Sequence, residues 1–185
     1  TYGNKDICEG GICDNISAIL WEEIESLILD AWKSSLNFIP DGESLNIRVI
    51  STTGDKITVK LDAMFRIGGK KKGDFLNMYQ FIVSKIMDSQ WSKLIRDIEE
   101  GKKVSFQSFD ITLTAIYRKK FFGGYDIIDL YRIVGCDFDN GELVIEFFDD
   151  KGHLKRKTCG YVRQIPNVHL AQAFLSSIAQ HNLSK

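Results

Sequence analysis

The stretch FLNMYQFIVSKIMDSQWSKLIRDIEEG, residues 75–101, is the strongest helical segment of the chain. Its apolar residues recur at helical spacing and would form one stripe: Tyr79, Ile82, Ile86, Trp91, Leu94, Ile95 and Ile98. Such spacing places side chains on a single face of a helix, and Gly101 is a typical C-terminal stop. The pattern predicts a helix over 75–100. The preceding GGKKKGD, residues 68–74, is predicted to be a loop whose Asp74 caps that helix.

The residues before this helix carry β patterns. Apolar residues alternate with polar ones at Leu45, Ile47 and Val49 and again at Ile57, Val59 and Leu61, with STTGDK between the two runs. Period-two alternation on both sides of a glycine turn predicts a β-hairpin. The earlier segment ISAILWEEIESLILDAW, residues 16–32, fits both a helical stripe and a strand.

The residues after the helix return to β patterns. Phe109, Ile111, Leu113 and Ala115 alternate as in a strand, while FFGG at 121–124 and DNG at 139–141 predict turns. The segment NVHLAQAFLSSIAQHN predicts a closing helix with Asn167 as its cap. The same order of segments therefore occurs on both sides of residue 100.

The two halves suggest an internal duplication. LWEEIESLI at 20–28 and YDIIDLYRI at 125–133 are each followed by a strand, a glycine hairpin, a strand and a helix. The identity between the halves is low and the spacing drifts, so chance similarity is the alternative. The duplication predicts that 20–28 is a strand and that the chain forms two modules, 1–100 and 101–185, with helix 75–100 bridging them.

Several segments resemble the pleckstrin-homology-like (PH/GRAM-like) superfold in its bacterial form. ILWEEIESL is similar to its mid-domain strand and ICEGGIC to the hairpin before it. GKKVSFQSFDITLTAIYRKKFFGG is similar to the opening strands of a second module, and GELVIEFFDDKGHLKRK with IPNVHLAQAFLSSI to its later strands and helix. The resemblance implies an α+β, β-rich fold: two tandem PH-like antiparallel half-barrels, each closed by a C-terminal helix. It also implies a non-catalytic binding module and an inward-facing Trp21 and Ile24.

Composition limits the partners of the chain. Its 185 residues are 44% hydrophobic and carry a net charge of −1, so no global field would attract nucleic acid or a membrane, and we expect no lipid binding. Residues 1–100 hold 12 Lys/Arg against 16 Asp/Glu (−4), and residues 101–185 hold 12 against 9 (+3). The second half is therefore the better place for an anion site. No apolar run is as long as a membrane span and no signal peptide is recognisable, so we expect a cytoplasmic protein, unless segments outside this chain attach it to a membrane.

The candidate binding residues are basic and aromatic. IYRKKFFGGY places Arg118, Lys119 and Lys120 beside Phe121 and Phe122, and DDKGHLKRK contributes Lys155 and Lys157. Basic and aromatic side chains at a hairpin tip are typical of domains that dock on anionic bilayers. The alternative is that the phenylalanines fill the sheet core and the charges are merely solvated. Contiguous strand residues alternate faces, so the basic triplet cannot grip one phosphate from a single surface. In PH domains that bind phosphoinositides, the basic residues are spaced along the loop after the first strand and are not contiguous as they are here.

No catalytic, metal or cofactor motif is recognisable. The cysteines are spread singly, the stretch DFDNGE lacks calcium-loop spacing, and His153, His169 and His181 are expected on solvated surfaces. Cys8 and Cys13 either face each other across a hairpin, which would permit a disulfide, or are reduced thiols. We expect no cofactor, no metal and no enzyme activity. Binding to an unknown protein is the preferred function, with anionic-lipid docking through 117–125 and an enzyme of unrecognised type as alternatives. Trp21, Ile24 and Trp91 are predicted to be buried, Trp91 between the modules.

Overall fold

A computed structural model describes residues 5–8, 10–14, 18–36, 39–64, 70–120 and 122–185. The strands in these ranges are β1 Lys5–Cys8, β2 Gly11–Asp14, β3 Ala18–Leu20, β4 Ile24–Leu36, β5 Ile39–Ser51, β6 Lys56–Met64, β7 Val104–Ser105, β8 Phe109–Ile111, β9 Ala115–Lys119, β10 Tyr125–Asp129, β11 Ile133–Asp139, β12 Glu142–Phe148 and β13 Leu154–Tyr161. The helices are α1 Lys70–Glu99 and α2 Val168–Leu183. The fold is therefore α+β and rich in strands, as the sequence predicts.

The described strands form four antiparallel sheets, and none of these sheets closes into a barrel. Their strand orders are β1-β2-β3, β4-β5-β6, β10-β9-β8-β7 and β11-β12-β13. The chain divides into two compact units, Thr1–Ser89 and Gln90–Lys185, and this division falls inside α1. Each unit contains a sheet, a 3₁₀ turn, a second sheet and a helix in this order, and in the second unit a further 3₁₀ turn, Val162–Gln164, precedes the helix.

The 3₁₀ turns that join the two sheets occupy equivalent places in the two units. Trp21–Glu23 lies between β3 and β4, and Leu130–Arg132 lies between β10 and β11. The N–H of Trp21 donates to the carbonyl of Gly10 (3.1 Å) and the N–H of Leu130 to that of Thr114 (2.8 Å). Both acceptors immediately precede the second-last strand of the sheet before the turn, so the chain turns in the same way twice.

Buried isoleucines flank each of these turns. Ile19 and Ile24 stand on either side of the first turn, and Ile128 and Ile133 on either side of the second, and all four are buried. Segment 20–28 is thus a strand from Ile24 onward, as the comparison of the halves predicts, and a 3₁₀ turn precedes it. The predicted burial of Ile24 is confirmed.

The predicted hairpin is present as β5 and β6. Leu45 pairs with Leu61, Ile47 with Val59 and Val49 with Ile57. Ile47, Val49, Ile57 and Val59 are buried in one core together with Ile12, Ile19, Ile24, Leu27, Met78, Ile82 and Ile86. One face of this hairpin therefore forms the core of the Thr1–Ser89 unit, onto which the first half of α1 packs.

Helix α1 starts earlier than its pattern predicts. It begins at Lys70, so residues 70–74 are helical, and the prediction of a loop with Asp74 as a cap is wrong for them. Lysine is a good helix former, and three in succession extend the helix despite Gly73. Residues 68 and 69 lie outside the described residues. At the other end the helix stops at Glu99, and Gly101 adopts a positive φ of 77°, as predicted.

The buried face of α1 follows a spacing of four residues. Its buried side chains are Met78, Ile82, Ile86, Gln90, Leu94 and Ile98. The observed buried face is therefore shifted from the predicted stripe by part of a turn. A polar side chain, Gln90, occupies one position of the observed buried face. Trp91 lies beside this face and is half-buried, with its ring 6.2 Å from that of Phe174 in α2. Trp21 is also half-buried, so its predicted burial and that of Trp91 are only partly correct.

Two smaller expectations fail, and a third is correct in position only. Leu113 lies in the turn between β8 and β9 and is 59% exposed, so the alternation does not continue through it. Cys8 pairs with Gly11 and Cys13 with Asp6, so the backbone register does not place the two cysteines opposite each other. Asn167 is the N-cap residue of α2, as predicted, but it adopts the left-handed region and its side chain makes no cap hydrogen bond.

The turns predicted at DNG and at DDKGHLKRK are confirmed. Asn140 and Gly141 have φ values of 50° and 78°, as a type I′ hairpin turn requires. In the second hairpin, Asp149 Oδ1 accepts hydrogen bonds from the N–H groups of Lys151 and His153, both at 2.9 Å. The segment DDKGHLKRK is thus a turn that leads into β13, as its sequence predicts.

Gly160 marks a close approach within the Gln90–Lys185 unit. A Cβ at this position would lie 2.5 Å from Ser108 Oγ, and the φ of Gly160 is 143°. We expect Gly160→Ala to lower the free energy of unfolding by about 3 kcal/mol, because strain and overlap add. Gly152→Ala is the control: its φ is also positive but its Cβ meets nothing within 4 Å, so it should cost only about 1 kcal/mol. Urea unfolding measures both, and equal losses would exclude the contact with Ser108 as the cause.

His169 is not the solvated histidine that the sequence suggests. Its Nε2 lies 3.2 Å from Gln90 Oε1, and burial lowers its pKa to about 4, against 6.5 ordinarily. The unfolded state therefore takes up a proton first as the pH falls, so stability is full above pH 6.5 and is lost between 6.5 and 4. Between pH 7 and pH 5 the free energy of unfolding of the parent protein should fall by about 2 kcal/mol more than that of the His169→Gln variant. Parallel pH profiles of the two proteins in denaturant titrations would contradict this.

Candidate functional site

The predicted binding residues lie on the hairpin of β9 and β10 and on β13. Arg118 and Lys119 end β9, Lys120 follows them, and Lys155 and Lys157 belong to β13. Phe122 lies in the turn of the hairpin. Phe121 lies outside the described residues. The structure therefore allows six of the seven candidate residues to be located.

Three of the candidates meet at one carboxylate, Asp126. Arg118 faces Asp126 across β9 and β10, and its Nη2 forms an ion pair with Asp126 Oδ2. Lys120 Nζ lies 3.0 Å from Asp126 Oδ1, and Lys157 Nζ lies 3.2 Å from Oδ2. Arg118 Nη1 also donates to the carbonyl of Thr158 at 3.4 Å. The carboxylate and its cations thus link the hairpin to β13 and form what we call the Asp126 cluster.

Lys119 points to a different carboxylate, Asp110. Its Nζ donates to the carbonyl of Gln107 at 2.6 Å and lies 3.9 Å from Asp110 Oδ1. Lys103 Nζ is 2.9 Å from Asp110 Oδ2 and stands 5.1 Å and 4.7 Å from the ring centres of Tyr117 and Tyr125. Lys119 therefore lies on the sheet face opposite Arg118 and Lys120. This confirms that the basic triplet cannot act from a single surface.

Both carboxylates are held in the ionised state. The guanidinium of Arg118, and after it the ammonium of Lys120, hold the pKa of Asp126 well below its usual range, although burial opposes them. Burial alone would raise the pKa of Asp110, but the hydrogen bond from Lys103 and its other partners outweigh burial, and the pKa is lowered. In the Asp126 cluster three cations surround one carboxylate, so its net charge is +2.

The other two members of the candidate set differ in their surroundings. Lys155 Nζ lies 3.7 Å from Asp149 Oδ2, in the β12–β13 turn, and does not join the Asp126 cluster. Phe122 is 97% exposed at the tip of the β9–β10 hairpin. The hydrogen bonds Lys120 N–H to Gly124 carbonyl (3.1 Å) and Gly123 N–H to Lys120 carbonyl (3.2 Å) close this tip. Lys119, Lys120 and Phe122 form what we call the hairpin tip, where the cations are about half exposed.

Sequence reasoning missed Asp126, Asp110 and Lys103. The signal for Asp126 was present, because counting outward from the FFGG turn places residue 118 opposite residue 126 in an antiparallel hairpin. No comparable signal exists for Lys103 and Asp110, which come together only when β7 pairs with β8.

Two features of the described residues bear on the requirements of a metal site and of an activated thiol. They contain no group of three or more His, Cys, Asp and Glu side chains that could hold a metal ion. Cys136 and Cys159 are free thiols, and burial raises the pKa of each to about 12, so neither is an activated nucleophile. In the part of the chain that the structure describes, no helix is both long and apolar enough to cross a membrane.

Comparisons with known proteins add no family assignment. No family model matches the sequence, and no curated protein matches it.

The Asp126 cluster should stabilise the fold in a pH-dependent way. Replacing Asp126 by Asn leaves three cations without their shared carboxylate, and we expect a loss of about 2 kcal/mol at neutral pH. The folded-state pKa of Asp126 is depressed, so its contribution is present above the unfolded pKa of about 4 and is lost as the pH falls below it. Denaturant unfolding of both proteins at pH 7 and pH 3 measures this. A difference between the proteins that is the same at both pH values would contradict the role assigned to the carboxylate.

Proposed function

We propose that the Gln90–Lys185 unit is a non-catalytic, PH-like binding module that docks on anionic lipid surfaces through the hairpin tip. The observation that carries this proposal is the 97% exposure of Phe122, two residues from Lys120. A large apolar side chain held in water beside cations suits a surface that offers both hydrocarbon and negative charge. The basic-aromatic hairpin 117–125 is then the docking element.

The order of elements supports a PH-like interpretation of both units. Antiparallel strands in two sheets followed by a terminal helix occur in Thr1–Ser89 and again in Gln90–Lys185. The repeated 3₁₀ turns between buried isoleucines favour a duplication over chance similarity of the letters. We therefore propose tandem PH-like modules, of which the second carries the docking tip.

The charges near the tip have separate roles. Arg118 and Lys157 are only partly exposed and hold the hairpin to β13 through Asp126, so they act as structural cations. Lys119 and Lys120 expose about half of their side chains and can approach lipid headgroups. The alternation that prevents a single phosphate grip does not prevent two lysines on opposite faces of a tip from meeting a broad anionic surface.

The expected affinity is low. Inserting one phenylalanine contributes about 2 kcal/mol, and each cation near an anionic leaflet contributes about 1 kcal/mol. The sum of about 4 kcal/mol corresponds to a dissociation constant near 1 mM. Docking through one tip is therefore reversible and requires a second attachment for lasting residence on a membrane.

A protein-interaction function predicts a different orientation of the phenylalanines at the tip. It was the preferred interpretation of the sequence and requires both phenylalanines to point into the sheet. Phe122 does not, and Phe121 lies outside the described residues. The exposure of Phe122 favours the lipid alternative.

Vesicle co-sedimentation tests the proposal. Binding should rise with the phosphatidylserine fraction and weaken at high salt, since salt screens the lysines. Phe122→Ser and the pair Lys119→Gln/Lys120→Gln should each weaken binding several-fold.

Matched variants control for charge and apolar surface. Lys56→Gln/Lys60→Gln removes the same charge from two exposed positions, and Phe138→Ser removes a ring that is 45% exposed on β11. Both should bind as the parent protein does. An absence of binding to phosphatidylserine vesicles at low salt, or equal losses in the control variants, would exclude the hairpin tip as a lipid-docking device.

A further inference from the structure

Strand β10 forms an open edge of the four-stranded sheet. It is the terminal strand in the order β10-β9-β8-β7, and among the described residues no strand pairs with its outer side. The hydrogen bond from Lys120 N–H to the Gly124 carbonyl fixes the alternation along the hairpin. The backbone groups of Asp126 and Ile128 therefore face β9, and those of Tyr125, Ile127 and Asp129 face outward.

The other edges in this unit are covered or short. Helix α2 packs on β11, where Ser176 Oγ donates to the Cys136 carbonyl at 3.4 Å. The side of β13 is approached by Arg118, which donates to the Thr158 carbonyl, and by Ser108 next to Gly160. Strand β7 has two residues. Within the described residues, β10 is thus the edge of this unit that remains available for pairing.

Strand β10 also exposes apolar side chains. Ile127 is 62% exposed and Tyr125 45% exposed, and both lie on the same face of the strand. Natural proteins usually protect an edge with charges or cover it, because open apolar edges pair with other strands. An edge with outward backbone groups and outward apolar side chains therefore offers a surface on which another strand can pair.

We propose that this partner is β10 of a second copy of the chain, paired antiparallel about a two-fold axis at Ile127. In this register Ile127 faces Ile127 of the other copy, and Tyr125 faces Asp129. The three residues with outward groups then pair only with one another, so six interchain hydrogen bonds satisfy every outward N–H and C=O of both strands. Self-association of this kind goes beyond lipid docking and does not depend on it.

Charge complementarity favours this occupant. The hairpin end of β10 carries Lys119 and Lys120, whereas the other end carries Asp129 and Asp150, which share Arg132. Antiparallel pairing places the basic end of each copy beside the acidic end of the other, twice over. Because a five-residue strand buries less than the roughly 1,200 Å² of a stable complex, the dimer should be weak and reversible.

Sedimentation equilibrium of the full chain over micromolar to millimolar concentrations tests the proposal. The parent protein should form dimers, and Ile127→Lys and Ile127→Glu should each be monomeric, because the two-fold axis places like charges face to face. An equimolar mixture of the two variants should dimerise again, since lysine then faces glutamate. Phe138→Lys, on another sheet, is the control and should dimerise as the parent does.

Hydrogen exchange resolved by residue gives a test that needs no variant. With rising protein concentration, the amides of Tyr125, Ile127 and Asp129 should gain protection at least several-fold, while those of Asp126 and Ile128 should not change. A parent protein that stays monomeric at millimolar concentration overturns the proposal. Dimers that persist in both variants, a mixture that stays monomeric, or protection that does not alternate along β10 would also overturn it.

Discussion

Each unit depends on one short 3₁₀ turn held between two buried isoleucines. At this point the chain leaves one sheet and enters the next. The isoleucines before and after the turn are buried, and their burial fixes the direction of the chain through the turn. In the second unit the Nδ2 of Asn182 donates to the carbonyls of Leu130 and Ile133, both at 2.8 Å, so α2 is tied to the same turn. In the first unit the turn Trp21–Glu23 joins the two sheets in the same way, between Ile19 and Ile24.

In the second half of the chain, ion pairs within the protein involve basic residues that the sequence alone indicates as candidates for ligand binding. Arg118 and Lys157 are used to join β13 to the hairpin, and Asp126 is the group that makes this possible. What remains exposed at the hairpin tip is about half of the side chains of Lys119 and Lys120 and nearly all of Phe122. The ion pairs of Arg118 and Lys157 with Asp126 hold the base of this hairpin to β13.

Periodicity predicted the elements whose apolar residues are numerous and local. The hairpin of β5 and β6 follows from the alternation at Ile47, Val49, Ile57 and Val59, because one-sided burial leaves a period of two in the sequence. Leu113 continued such a pattern by coincidence, and only the pairing of β8 with β9 shows that it belongs to a turn. A turn that preserves the alternation of apolar and polar residues cannot be detected from periodicity.

Polar contacts were harder to predict for a different reason. Gln90 occupies a core position in α1 and meets His169, which lies 79 residues away in the chain. Neither residue carries a local signature, and a pattern built on apolar letters ignores both. Asp126 could be found by counting from a turn, whereas Asp110 and Lys103 require the sheet register. The sequence thus predicted the local elements, whereas charge partners such as Asp110 and Lys103 could not be predicted without the sheet register.

The shared helix also determines how this protein could be dissected. A cut between residues 100 and 101, where the repeat pattern places the boundary, would remove Gln90, Trp91, Leu94 and Ile98 from the unit in which they are buried or half-buried. A fragment that begins at residue 101 would expose Phe174 and leave His169 without its glutamine. Any transplant of the C-terminal unit into another chain must therefore carry about three turns of α1 with it.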